Sequence, residues 1–288
     1  MSLVVKAYAK INLLLDVLGK RSDGYHQVEM VMQTITLHDR LEFAAGKDVF
    51  LEIKGANLPA GDDNLIIRAA RVVRDYTGCR QGARIILHKN IPVAAGLGGG
   101  SADAAAALIG LNQLWQLGLS KKELYILSEK IGSDVPFCIS GGTALVEGRG
   151  EKLTNLPPAP AMGLVLIKPP YGISTAQVYH NLNLKEVNNH PNISKMIAAI
   201  ERQDLLAVCK SMGNVLEEVA ARMHPNILEI KRILLKQGAL GALMSGSGST
   251  VFAITEDLSS AKGLADRLLP EIGNVYIAAP QRAREGLQ

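Results

Sequence analysis

The chain has 288 residues, 48% of them hydrophobic and 20% charged, with a formal net charge of +4. That is ample for a packed core without disulfide or metal staples, and amounts to two domains at roughly 150 residues each. The weak and evenly spread charge, with aromatics at only 4%, argues against a nucleic-acid surface.

Cys79, Cys138 and Cys209 make no CxxC pair, and the six histidines make no HExxH pattern. Neither a zinc site, a redox motif nor a protein-built metal centre is indicated. The start, Met1-Ser2-Leu3-Val4-Val5-Lys6, has no basic segment followed by a long apolar stretch, so it does not read as a signal peptide. No apolar run approaches the roughly 18 residues of a membrane span. The expectation is a cytoplasmic protein with reduced thiols and no membrane partner.

In chain order, residues 3–17 read as a strand and 19–27 as a turn. Residues 28–37, 40–43 and 49–53 read as three further strands. Residues 64–76 carry a helical apolar stripe, and 84–89 form another strand. A helix is expected over 101–116. Ser120-Lys121-Lys122-Glu123 is a capping box for the next helix. Residues 131–136 break the pattern, and Pro136 suits the opening of a short helix. Residues 144–147 read as a strand, and Leu156-Pro157-Pro158-Ala159-Pro160 is the best linker. This divides the chain into 1–156 and 157–288. Beyond the linker come a strand at 163–168, helices at 193–203, 204–223 and 225–237, and strands at 242–244 and 251–255. A helix at 260–269 and a strand at 274–278 follow. Helices and strands mix without clean βαβ alternation, so the fold class is read as α+β.

Two glycine-rich loops carry the chemistry. The first is Pro92-Val93-Ala94-Ala95-Gly96-Leu97-Gly98-Gly99-Gly100-Ser101-Ala102-Asp103, running on into Ala104. Glycines let backbone N–H groups approach a ligand, and a helix opening directly afterwards aims its free N–H groups and dipole at the same point. That combination binds phosphate. Ser101 is placed to cap the helix or to contact a phosphate or its metal ion. The pattern is neither a Walker A loop nor a Rossmann fingerprint. A flexible turn before a capped helix is the competing reading. The second loop, Ser245-Gly246-Ser247-Gly248-Ser249-Thr250, reads as a hairpin turn or as part of a shared anion site.

Lys10 lies in an otherwise apolar strand, where a charge either faces solvent or faces a site, with Asn12 on the same strand face. Asp134 lies in Gly132-Ser133-Asp134-Val135-Pro136, where a carboxylate either caps a helix or is aimed at chemistry.

The segments Ala9-Lys10-Ile11-Asn12-Leu13, Arg21-Ser22-Asp23-Gly24-Tyr25-His26, the first glycine loop, Ile131-Gly132-Ser133-Asp134-Val135-Pro136-Phe137 and Met244-Ser245-Gly246-Ser247-Gly248 together resemble the GHMP kinase superfamily. The resemblance covers almost the whole chain. It implies an N-terminal domain like ribosomal protein S5 domain 2, a ferredoxin-like C-terminal domain, and an active site between them. It implies transfer of the γ-phosphoryl group of ATP, with Mg²⁺, to a hydroxyl of a small molecule. The first two segments point to a member acting on a cytidine diphospho-sugar alcohol in isoprenoid precursor synthesis.

By the same resemblance Asp134 is the base and Lys10 its catalytic partner, which holds Asp134 ionised, lowers the acceptor hydroxyl's pKa, or both. Asn12 contacts the acceptor. Tyr25 stacks on cytosine, His26 binds its edge, and Tyr179 closes the other face with Thr175 nearby. Asn64 touches adenine, and Ser245, Gly246, Ser247 and Gly248 complete the acceptor site. The protein is expected to be a monomer or weak homodimer. Two positions depart from the family: Ala102 replaces a second serine and Ser249 replaces a proline. The first is expected to remove a hydroxyl contact and the second to loosen the last loop. Two alternatives stand beside this reading, a homoserine- or mevalonate-type kinase and a non-catalytic nucleotide-binding regulator.

Overall fold

The computed structural model describes residues 3–187, 189–268 and 272–284. The end of the expected 260–269 helix at Leu269, and the outermost residues of the spans 1–156 and 157–288, lie outside these.

β1 (Leu3–Lys20) and β2 (His26–Gly46) form one long antiparallel pair around a tight turn. The turn is confined to residues 21–25, shorter than the 19–27 expected. β2 is continuous where two strands were expected. His38-Asp39-Arg40 reads as an interruption by polarity alone. Asp39 is fully buried and stays in the strand because its carboxylate is satisfied: Oδ1 accepts the N–H groups of Asn90 (2.5 Å) and Ile91 (2.7 Å). A buried carboxylate is tolerated when it is paired and hydrogen-bonded.

β3 (Val49–Lys54) and β4 (Gly82–His88) are parallel, joined by the crossover helix α1 (Leu65–Thr77), and β4 also pairs with β2. β5 (Thr143–Gly148) pairs with the other half of β2, and β6 (Lys152–Asn155), absent from the sequence reading, pairs with β5. α2 (Gly99–Leu114) crosses this sheet and is buried from Ala102 to Leu111. Its alanines allow that close approach. Gly110 allows the closest, since a Cβ there would stand 2.4 Å from the Phe43 ring. α3 (Lys121–Glu129) opens on the expected capping box, with both Ser120–Glu123 bonds formed. α4 (Val135–Ser140) carries Pro136 in its first turn.

The second half builds a four-stranded antiparallel sheet from β7 (Gly163–Lys168), β9 (Gly241–Met244), β10 (Val251–Thr255) and β11 (Asn274–Ala278). Their order is β11-β7-β10-β9, a ferredoxin-like arrangement whose first crossover is enlarged by helices. These are α5 (Thr175–His180), α6 (Ile193–Glu201), α7 (Leu205–Ser211), α8 (Val215–Met223) and α9 (Asn226–Lys236); α10 (Leu258–Ala265) lies between β10 and β11.

The single helix expected over 204–223 is broken by β8 (Gly213–Asn214), which pairs in parallel with Leu14 and Leu15 of β1. At Gly213 a Cβ would press within 2.7 Å of Pro191, and Asn214 uses its Oδ1 to cap α8. The second half thus reaches into the first sheet. Mixed sheets and helices in both halves bear out the α+β class.

Candidate active site

Both glycine loops, β1 and the start of α4 converge on one cleft of about 1060 Å³. That exceeds the roughly 300–1,000 Å³ typical of a single small-molecule pocket. The catalytic pair of the sequence reading lies in its wall. Lys10 is only 5% exposed. Its Nζ donates to Asn12 Oδ1 at 2.7 Å and stands 3.5 Å from Asp134 Oδ2. Asn12 is held in turn by a 3.2 Å contact from Nδ2 to Met30 Sδ. Asp134 occupies the N-cap position of α4, yet its side chain makes no capping bond. Its carboxylate is turned to Lys10 instead.

The first glycine loop shows why its N–H groups face the cleft. Its carbonyls are taken by protein donors: Ala95 O accepts the Thr250 N–H (3.2 Å), Gly96 O the Ser245 hydroxyl (2.9 Å), and Leu97 O the Lys10 N–H (3.0 Å). Among the described residues, no backbone N–H from Gly96 to Ser101 donates to a protein acceptor. The first turn of α2 adds its own unpaired donors and positive dipole end. Gly98 has φ 66°, and a Cβ there would meet the Lys10 side chain at 3.0 Å. Only glycine lets Lys10 lie flat beneath the loop. The helix begins at Gly99 with Gly98 as N-cap, so Ser101 does not cap it; it sits in the first turn, lining the cleft.

The second loop joins β9 to β10 and braces the first. Besides the Ser245 bond, a Cβ on Gly96 would collide with Ser245 O at 2.0 Å, and one on Gly246 would lie 3.4 Å from Lys10 Nζ. Asn214 Nδ2 holds this loop through the carbonyls of Met244 and Gly246, both at 2.8 Å. Ser249, expected to loosen it, donates its hydroxyl to Tyr171 O at 2.7 Å, a tie that proline cannot make.

A second stretch of the wall holds Tyr25, His26, Thr175 and Tyr179. The His26 and Tyr179 rings lie 4.9 Å apart between centroids, and Thr175 Oγ1 is 2.8 Å from Ser247 Oγ. Burial lowers the His26 pKa, and Lys20 lowers it further, so both favour the neutral ring. Burial raises the Tyr179 phenol, and the charge of Asp134 adds to this.

Not every expected residue reaches the cleft. Ala102 and Ala104 are buried in the core, so the hydroxyl missing at position 102 is missing on the core side. Ser245 and Gly248 stand behind the wall. Asn64 lines the cleft, but both ends of its amide are occupied. Oδ1 caps the Ile66 N–H at 2.9 Å and Nδ2 donates to Pro59 O at 2.8 Å.

Sequence reasoning missed two groups. Arg149, in the β5–β6 turn, places its guanidinium 5.4 Å from the Tyr25 ring centroid. Lys89 lies beneath the first loop, paired with Asp39 and, at 2.8 Å, with Asp103. Burial alone would depress the Lys89 ammonium; Asp103 and Asp39 outweigh it and raise it. Burial pushes Asp103 well above the usual carboxylate range; Lys89 opposes this and Asp39 adds to it. Among the described residues, Asp103 Oδ1 is buried without a partner. Arg149 and Lys89 are isolated charges in sequence, and their partners lie far along the chain. No local spacing announces them.

A phosphate-type backbone cradle beside a lysine–aspartate pair, over a ferredoxin-like second domain, defines a small-molecule kinase of the GHMP type. The GHMP kinase N-terminal domain matches residues 64–142 and the C-terminal domain residues 196–274. A 4-diphosphocytidyl-2-C-methyl-D-erythritol kinase of Pelotomaculum thermopropionicum is 54% identical over 273 residues, covering 93% of this chain and 94% of its own. One from Brevibacillus brevis is 46% identical over 289 residues, with 99% of both chains covered. A crystal structure of 4-(cytidine 5'-diphospho)-2C-methyl-D-erythritol kinase superposes with a TM-score of 0.82 at 32% identity, covering 96% of this chain and 98% of that one.

The chain belongs to the 4-diphosphocytidyl-2-C-methyl-D-erythritol kinase family of GHMP kinases. It is an ATP-dependent small-molecule kinase, and among the described residues no helix is long and apolar enough to cross a membrane.

Proposed function

We propose that the protein transfers the γ-phosphoryl group of ATP to the 2-hydroxyl of 4-diphosphocytidyl-2-C-methyl-D-erythritol, in the non-mevalonate route to isoprenoid precursors. The observation that carries this reading is the Lys10–Asp134 pair, 3.5 Å apart in the cleft wall beside a loop with unpaired N–H groups. Asp134 takes the hydroxyl proton as the acceptor oxygen bonds to the γ-phosphorus and the bond to the ADP oxygen breaks. Lys10 offsets the charge that develops there. The N–H groups of Gly96–Ser101 hold the phosphates. Asn12 and the second loop hold the acceptor.

Among the described residues, no cluster of three or more acidic, histidine or cysteine ligands forms a metal site. This fits a Mg²⁺ ion bound mainly by the nucleotide, which needs only one or two protein oxygens. Ser101 lines the cleft and would supply one. The ion, when bound, neutralises phosphate charge. Asn64, with each end of its amide bonded to the chain, shapes the wall by adenine.

Tyr25, His26 and Tyr179 form the cytidine end. A neutral His26 offers one donor and one acceptor to the base edge. A homoserine- or mevalonate-type acceptor gives these rings nothing to stack on. We place the two domains at 1–156 and 157–288, and the protein in the cytoplasm as a monomer or weak homodimer.

Tyr25→Ala tests the assignment. Loss of a stacked base is worth about 1–3 kcal/mol, so KM for the cytidine acceptor rises about 5- to 150-fold. KM for ATP stays near the wild-type value. Steady-state kinetics with each substrate varied separately checks this. A rise confined to ATP removes Tyr25 from the acceptor site.

A further inference from the structure

Residues 279–284 leave β11 and run back across the first sheet as a strap, bridging Ile35 to Pro280 and Gly141 to Ala283. Thr36 N–H donates to Ala279 O at 2.9 Å, and Ala279 N–H donates to Thr36 Oγ1 at 3.0 Å. Gln281 N–H donates to Thr34 O at 2.8 Å, and Arg284 N–H to Ser140 O at 3.0 Å. The strap lies on Gly142, where φ is 78° and a Cβ would come within 3.1 Å of Ala283. Its last described residue, Arg284, donates from Nη2 to Lys6 O at 2.5 Å and lies 5.7 Å from the Tyr8 ring centroid.

The contacts of Arg284 reach the two elements that carry the catalytic pair, while the other anchors lie on β2 and just after α4. Lys6 and Tyr8 precede Lys10 on β1, and Ser140 ends α4, whose start is Asp134. α4 has only six residues, too short to hold an orientation by itself. A tie at its end therefore adds to the core packing in setting where the carboxylate of its N-cap residue, Asp134, points.

We propose that Arg284 is a positioning residue for phosphoryl transfer: it ties β1 to α4 and so sets the distance between Lys10 and Asp134. The proposal rests on the reading that this pair flanks the transferred group. It gives the strap a catalytic consequence, because a misplacement of about 1 Å at reacting groups can cost up to about a hundredfold in rate.

Cys138 supplies an independent readout. It lies on α4, and its thiol is pushed up to about 12 by burial, then by the charge of Asp134, while Lys10 and Arg284 pull the other way. Its burial on α4 keeps it unreactive. In a Cys79→Ser, Cys209→Ser background, Arg284→Gln is expected to lower kcat about ten- to a hundredfold. KM for ATP and acceptor stays within about twofold, because only transition-state geometry is disturbed. Cys138 then reacts with a thiol reagent on the order of tenfold faster in the native state. Arg284→Lys, which keeps a donor to Lys6 O, recovers most of the rate. Should Arg284→Gln not fold, Tyr8→Leu carries the same test by removing the ring under the guanidinium, with the same signs expected. A normal kcat in Arg284→Gln, or in Tyr8→Leu where that variant stands in, beside an inactive Asp134→Asn overturns the strap's role and leaves the catalytic pair standing. A fully active Asp134→Asn overturns both.

Discussion

Asp134→Asn is expected to bind ATP as the wild type does and to lose kcat by a hundredfold or more. Asparagine keeps the size of the side chain and its place at the start of α4, and Lys10 keeps its bond to Asn12. It cannot accept the acceptor's proton. General-base contributions of this kind amount to about 10²–10⁴ in rate. The structure makes the substitution clean, because the carboxylate has no capping duty to lose. Among the described residues, the one ion-pair partner of Asp134 is Lys10, at 3.5 Å. ATP binding by calorimetry and kcat by ADP release separate the two effects. A near-normal kcat removes Asp134 from its role, and a collapse of ATP binding makes it a nucleotide ligand instead.

Lys89→Met is expected to destabilise the protein by about 3–5 kcal/mol, the cost of stripping the partner from a buried charge. The lysine side chain is 4% exposed, and it sits between Asp39 and Asp103, themselves 0% and 6% exposed. Methionine fills the space and leaves two carboxylates facing each other without a counter-ion. A loss of that size is a large share of the roughly 5–15 kcal/mol of a typical domain. The urea midpoint measures it. The exposed pair Arg71–Asp62, with side chains 54% and 82% exposed, supplies the contrast: Arg71→Met should change stability by less than about 1 kcal/mol. Equal small effects for both variants would contradict the structural weight given to Lys89. Because Lys89 lies under the first glycine loop, ATP affinity should weaken in any Lys89→Met protein that remains folded. A Cβ on Gly99 would lie 3.1 Å from its Nζ.

The parts of the fold that the sequence made legible are those with local causes. β7 and β11 are short, mostly apolar runs, each with two β-branched residues, and their expected bounds match those found. The Ser120–Glu123 box is a four-residue signal and is formed as read. The failures have distant causes. Asp39 looked like a strand end because its partners are Lys89 and the backbone of Asn90 and Ile91. The 204–223 helix looked continuous because nothing near Gly213 reveals that Pro191 and β1 press against it. Ser101 looked like a cap because serine is a good one; the loop instead places Gly98 there, with Lys10 stretched beneath it.

The candidate site divides in the same way. Lys10, Asn12, Asp134, Tyr25 and His26 were readable because each sits in a recognisable segment, and the structure gathers all five around one cleft. Arg149, Lys89 and the Arg284 strap depend on the tertiary fold. Their neighbours come from other parts of the chain, and no periodicity encodes them.

Turnover itself tests the central claim most directly. Purified protein with Mg-ATP and 4-diphosphocytidyl-2-C-methyl-D-erythritol is predicted to release ADP and to yield one new phosphomonoester at the 2-hydroxyl, located by phosphorus NMR. Homoserine and mevalonate, supplied at the same concentration, are predicted to give no ADP above background. Turnover of either one, with none on the cytidine substrate, would contradict the account.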